Sequence, residues 1–234
     1  MEFSSIAIEE VNSHIIINDE QNVLIDTGSP LSFHQSGQIV LGNETFNVPS
    51  SVLGVTSEYL SQKVGKEING LVGMDILNKN PIMISLKDKM MFINDDAVYR
   101  EKLRRAVPGG PIGGIIGVEM SINGRVARMF VDTGAKISYI KKEFVEGLNI
   151  KDIVEDFSPY IGDFKAPLYS CQTELLSSNG NVIVSYMQDY GEMPQIVLMT
   201  IEMVKMDGII GFDLFKKFRL QLKQGEIYFP PQGI

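Results

Sequence analysis

Val23-Leu24-Ile25-Asp26-Thr27-Gly28 recurs in the second half of the chain as Met129-Phe130-Val131-Asp132-Thr133-Gly134. In both places three apolar residues run into Asp-Thr-Gly, the pattern of a buried strand that ends in a tight turn. A carboxylate at such a turn sits at the edge of an apolar core, where desolvation and neighbouring charge control its ionisation. Two of them, delivered by matching turns from two halves of one chain, are placed to meet and share a proton.

The repeat extends outward from these turns. Asn69-Gly70-Leu71-Val72-Gly73-Met74-Asp75-Ile76-Leu77 is answered by Asp207-Gly208-Ile209-Ile210-Gly211-Phe212-Asp213-Leu214-Phe215. The hairpin that closes near Phe92 is answered by residues 220–229. Gly42 lies 31 residues before Gly73, and Gly180 lies 31 before Gly211. Asp26 to Gly42 is 16 residues, whereas Asp132 to Gly180 is 48. The chain is therefore a fused pseudo-dimer, and its second half carries about 32 extra residues after the Asp-Thr-Gly turn.

Residues 15–17 with 23–25, 38–41 with 45–48, and 82–86 with 90–93 read as hairpins. Helix is scarce: residues 57–66 read as a short helix or loop, and 95–105 and 141–148 as helical. The glycine- and proline-rich run 107–114 reads as a hinge. It lacks the Gly-Lys-Ser/Thr ending of a phosphate loop. The expected organisation is all-β: an N-terminal lobe over 1–105, a linker over 106–114, and a C-terminal lobe over 115–234.

Composition narrows the function. The 234 residues carry 29 acidic and 21 basic side chains, a net charge of −8. That excludes nucleic acid as the expected partner, since phosphate binding needs a basic face. One cysteine, Cys171, permits no intrachain disulfide and favours a reducing compartment. Without a signal-like start or a membrane-length apolar run, a cytoplasmic protein with no membrane partner is expected. His14 and His34 are too few for a metal site or a Ser-His-Asp relay. No metal and no cofactor are expected.

The two turns, with their apolar lead-ins and the paired Leu71-Val72-Gly73 and Ile209-Ile210-Gly211, resemble the aspartic peptidase superfamily, both pepsins and retroviral-type proteases. The resemblance covers most of both halves. It implies a bilobal acid-protease-like fold, two pseudo-symmetric small β-barrel lobes with the active site at their interface. It also implies an aspartic endopeptidase in which Asp26 and Asp132 are the catalytic dyad. One carboxylate stays ionised and draws a proton from a water held between the two, while the other donates to the peptide carbonyl. The sequence assigns neither role. By the same resemblance Thr27 and Thr133 hydrogen-bond across to the opposite loop, while Gly28 and Gly134 let backbone approach the dyad. The implied partner is a peptide or protein substrate, bound by a monomer, with an optimum at mildly acidic pH.

The insert in the second half supplies the expected flap. Residues 157–169 read as a proline-edged hairpin that projects outward, because Pro159 and Pro167 do not fit a central strand. A flap over roughly 156–170 is expected, with its tip at 160–164 and with Tyr160, Ile161, Gly162 and Asp163 against substrate. Asp75 and Asp213 are read as caps of the short helices that follow Gly73 and Gly211. The alternative to catalysis is a silent polypeptide-binding or scaffold module that retains the acid-protease fold.

Overall fold

A computed structural model describes residues 4–94, 102–106, 116–158, 162–223 and 226–229. Each half is organised on one pattern. In the first, Ser4–Val11, His14–Ile17 and Val23–Ile25 form an antiparallel meander. Val23–Ile25 then pairs in parallel with Gly70–Val72, which pairs antiparallel with Phe33–His34. In the second half Gly117–Ile122 and Arg125–Val131 form the hairpin. Arg125–Val131 pairs in parallel with Gly208–Ile210, and that strand pairs antiparallel with Tyr139–Ile140. The strands flanking each aspartate turn are buried on both faces, which is why they read as unbroken apolar runs and not as alternating ones.

Turn chemistry fixes the registers. Asn12 and Ser13 take φ of 48° and 64°, and Asn123 and Gly124 take 50° and 77°. Both pairs suit the primed two-residue turns that match strand twist. The second half closes into a barrel because the long strand Gly162–Leu176 pairs back onto Met120–Ile122 as well as with Val182–Glu192. The two halves share a sheet. Leu220–Lys223 pairs antiparallel with Ile82–Ser85 of the first half. One hydrophobic core accordingly runs through both, from Ile15, Ile25 and Val72 to Val118, Val131 and Phe212.

Among the described residues four short α-helices punctuate the strands. α1 (Ser57–Val64) is capped by Thr56, whose side chain accepts from the Tyr59 N–H, and ends at Gly65 with φ 78°. α2 (Met74–Leu77) follows Gly73. α3 (Gln195–Met203) occupies in the second half the position of α1, and α4 (Phe212–Phe215) follows Gly211. None of the helices in the described residues is long and apolar enough to cross a membrane.

Three local readings change. The helix expected over 141–148 is a single 3-10 turn, Lys142–Phe144, followed by Gly147 at φ 82°. Of the helix expected over 95–105, residues 102–105 are extended, and the rest lies outside the described residues. Arg105–Ala106 pairs with Gly117–Val118, while Leu103 donates to the Ile227 carbonyl, so tertiary pairing overrides local helix propensity. The insert does form a hairpin, but its strands are Asp152–Ser158 and Gly162–Leu176, in register from Asp152↔Leu168 to Ser158↔Gly162. Phe164, expected at the tip, therefore lies within the ladder opposite Asp156. Pro167 sits where the strand has just left Val182–Glu192, whose pairing begins at Leu168↔Gly191. From there the hairpin is two-stranded and projects, as a proline that cannot donate to a ladder requires.

Candidate active site

Each aspartate turn is built by its own backbone. The Gly28 and Ser29 N–H groups donate to Asp26 Oδ1 at 2.7 and 3.1 Å. The Gly134 and Ala135 N–H groups donate to Asp132 Oδ1 at 2.9 and 3.2 Å. The aspartates' own N–H groups donate to the Val72 and Ile210 carbonyls at 3.0 and 2.9 Å, which ties each turn to its parallel strand.

Two threonines then lock the turns to one another. Thr27 N–H donates to Thr133 Oγ1 at 3.0 Å, and Thr133 N–H donates to Thr27 Oγ1 at 3.0 Å. Each hydroxyl donates onward, Thr27 to the Val131 carbonyl and Thr133 to the Ile25 carbonyl, both at 2.9 Å. Both threonines are fully buried, so every one of these four bonds satisfies groups that water cannot reach. The glycines are packed crosswise. A Cβ on Gly28 would strike the Asp132 carboxylate, and one on Gly134 would lie 2.8 Å from Asp26 Cγ. The structure thus brings Asp26, Asp132, Thr27, Thr133, Gly28 and Gly134 together at the seam between the halves.

The two carboxyl groups share the floor of a cleft and are otherwise enclosed by protein. Burial pushes both above the ordinary aspartate range. Asp132 is raised further, because the charge on Asp26 lies beside it. Asp26 is held lower by the Gly28 N–H and by a hydrogen bond with Asp132. The pair therefore retains one shared proton above the pH at which an isolated aspartate loses it, and the two carboxyls titrate as a unit.

A serine–aspartate pair supports each turn from behind; the serines are buried, while Asp75 is exposed and Asp213 half-buried. Ser32 Oγ donates to Asp75 Oδ1 at 2.5 Å and accepts from the Gly73 N–H at 2.8 Å. Ser138 Oγ donates to Asp213 Oδ1 at 2.7 Å and accepts from the Gly211 N–H at 3.1 Å. Asp75 and Asp213 thus orient serines and do not cap α2 and α4, whose caps carry no side-chain bond. Sequence reading missed the serines, although they stand at matching positions, six residues after each aspartate.

Above the dyad lies a cleft of about 350 Å³. Leu24, Phe33, Leu60, Val64 and Leu71 line it on the first lobe. Phe130, Tyr139, Val197, Ile201 and Ile209 line it on the second. Leu24, Phe33 and Leu71 are matched at equal offsets in the repeat by Phe130, Tyr139 and Ile209, and one of these pairs differs in polarity. Where the first has Phe33, the second has Tyr139, whose hydroxyl donates to flap residue Asp156 at 2.6 Å. Burial and that carboxylate raise the Tyr139 pKa, so the hydroxyl remains a donor.

Of the residues expected against substrate, Tyr160 and Ile161 lie outside the described residues. Gly162 begins the returning flap strand with φ 79°, and Asp163 faces away from the dyad into an ion pair with Lys63. The flap residues that do line the cleft are Asp156, Phe157 and Phe164. His14 lines it too. The pairing of Phe33 with Tyr139, each seven residues past its aspartate, was available in the repeat and marks these walls. Among the described residues no cluster of three or more His, Cys, Asp and Glu side chains is placed to hold a metal.

Over its full length the chain superposes on the crystal structure of basic 7S globulin from soybean with a TM-score of 0.58 and 9% identity, covering 100% of this chain and 97% of that one. The chain has the fold of the aspartic peptidase superfamily. A family model described as aspartyl protease matches residues 118–163, which take in the second Asp-Thr-Gly and the outgoing flap strand. Two half-length likenesses accompany it. A retropepsin-like aspartic protease from Rickettsia conorii covers 56% of this chain and 94% of its own, at 11% identity and a TM-score of 0.33. The retroviral protease-like domain of Ddi1 from Leishmania major covers 51% and 96%, at 18% identity and a TM-score of 0.29. A search of curated protein sequences returns no match.

Proposed function

We propose that this acid-protease-fold chain is an aspartic endopeptidase in which Asp26 and Asp132 activate a water between them. The supporting observation is the crossed threonine lock, which holds two aspartates at one cleft floor with their turns intact on both sides. Whichever carboxylate of the pair is ionised is the base that takes a proton from the water. Its protonated partner is the acid that donates to the peptide carbonyl oxygen. As the C–N bond breaks, the former base gives its proton to the departing nitrogen and the former acid regains one from a gem-diol hydroxyl; because the nucleophile is water, no acyl-enzyme forms. An extended peptide lies across the seam, its side chains alternating between the two apolar walls. The fused halves supply both aspartates, so a monomer suffices. The roles of all six turn residues and the lobe division at 106–114 belong to the same proposal.

A second reading is a polypeptide-binding module without turnover. It is favoured by the full-length likeness to a protein titled a globulin. Cleavage of a mixed peptide library between roughly pH 3 and 7, read by mass spectrometry, separates the two. The enzyme reading expects cuts by wild type and silence from both Asp26→Asn and Asp132→Asn. Intact peptides at every pH, with a folded protein, overturn it in favour of the binding module.

A further inference from the structure

The flap is rooted in the second lobe, yet one of its rungs rests on the first. Phe157 and Asp163 are cross-strand partners in the flap ladder. Lys63, on α1 of the first lobe, touches both. Its Nζ lies 2.7 Å from Asp163 Oδ1 and 5.3 Å from the centre of the Phe157 ring. From the cleft side the His14 ring approaches the same Phe157 at 6.1 Å between centroids.

This seat is assembled without help from the flap. Asn12 Nδ2 donates to the Val64 carbonyl at 2.7 Å, at the C-terminal end of α1. The Asn12 carbonyl in turn lies 2.9 Å from His14 Nδ1, which donates to it. Lys66, just past α1, pairs with Glu9 on the neighbouring strand. One short network therefore fixes α1, Asn12 and His14 as a unit and presents Lys63 and the imidazole to the flap. Seat and flap enclose a cavity of about 600 Å³ that opens beside the dyad cleft.

We propose that Lys63 is a positioning residue for the flap: with Asn12 and His14 it forms a receptor on the first lobe that latches the Phe157–Asp163 rung and holds the cleft shut. The latch acts on substrate only through the flap and touches no reacting atom. Asp163 is 80% exposed, so the ion pair is open to solvent and screened by salt. Entry of a peptide requires the rung to lift off Lys63, which makes admission to the cleft depend on ionic strength. The geometry of the latch stands apart from catalysis, while its kinetic consequence rests on the endopeptidase reading.

Spin labels at Gln62→Cys on α1 and Ile153→Cys on the flap, both exposed positions, report the gap by electron spin resonance; the native Cys171 is buried. The parent should give one short, narrow distance distribution that broadens as salt is raised. Lys63→Met or Asp163→Lys should raise the lifted population about three- to tenfold and abolish the salt response. The exchange Lys63→Asp with Asp163→Lys should restore the short distance, which a merely structural role for Lys63 would not predict. In peptide cleavage Lys63→Met should change KM and leave kcat. An unchanged distance in Lys63→Met, or no recovery in the exchanged pair, overturns the latch. Distances that respond as expected while no peptide is cut uphold the latch and refute only the enzyme reading.

Discussion

Thr27→Val removes a hydroxyl and keeps the shape. The Val131 carbonyl loses its donor, and the Thr133 N–H loses its acceptor. Both groups are in the fully buried lock, where water cannot replace the missing partner. An unsatisfied buried polar group costs about 1–3 kcal/mol, so two cost about 2–6 kcal/mol. In a chain of this size that lowers Tm by roughly 5–20 °C. Thr27→Ser is the matched control: it keeps both bonds and gives up one buried methyl, a loss of about 1 kcal/mol. Thr133→Val and Thr133→Ser should repeat the pattern, because the lock is two-fold symmetric. Chemical denaturation of the four variants measures the effect. A Val variant as stable as wild type, or a Ser variant less stable than its Val counterpart, would refute the reasoning, since packing and not hydrogen bonding would then hold the turns.

Asp213 gives a pH signature. Burial pushes its carboxyl up to about 6, so the folded protein keeps that proton to higher pH than the unfolded chain does. Its contribution to stability is therefore fullest below about pH 4 and is lost as pH rises through 6, an effect of about 3 kcal/mol. Asp213→Asn should flatten that part of a stability–pH curve, and an unchanged slope counts against the assignment. In Gly28→Ala the new Cβ occupies the space of the Asp132 carboxylate, so cleavage should fall by roughly 100-fold or more while the protein remains folded. Tyr139→Phe leaves Asp156 Oδ2 without its hydroxyl donor, Oδ1 keeping the Phe157 N–H, and should raise KM about tenfold with a smaller change in kcat, measured by steady-state cleavage. An unaltered KM there disconnects the tyrosine from the flap.

How much was legible follows from where the information is stored. Strands that enter the aspartate turns are written in local apolar runs, and the repeat doubles every such signal, so the fold and the meeting of Asp26 with Asp132 could be read directly. The flap hairpin was legible from its prolines, but its register was shifted. Ser158 pairs with Gly162, which places Phe164 in the ladder opposite Asp156. Lys63 against Asp163, a hundred residues apart, obeys no local pattern and emerges only from the fold. The same holds for residues 102–106, whose strand pairing is dictated by partners at Val118 and Ile227. Ser32 and Ser138 differ: their equivalence was on the page, and a closer comparison of the two halves would have exposed the pairs with Asp75 and Asp213.

The sheet shared by the halves has a consequence for biogenesis. Ile82–Ser85 finds its outer neighbour only in Leu220–Lys223. On a ribosome, the first lobe is complete in sequence long before that strand exists, and it must wait with an apolar edge open to other chains. Closing the edge awaits Leu220–Lys223, about 135 residues further along the chain, whereas the second aspartate turn needs only its parallel partner Gly208–Ile210.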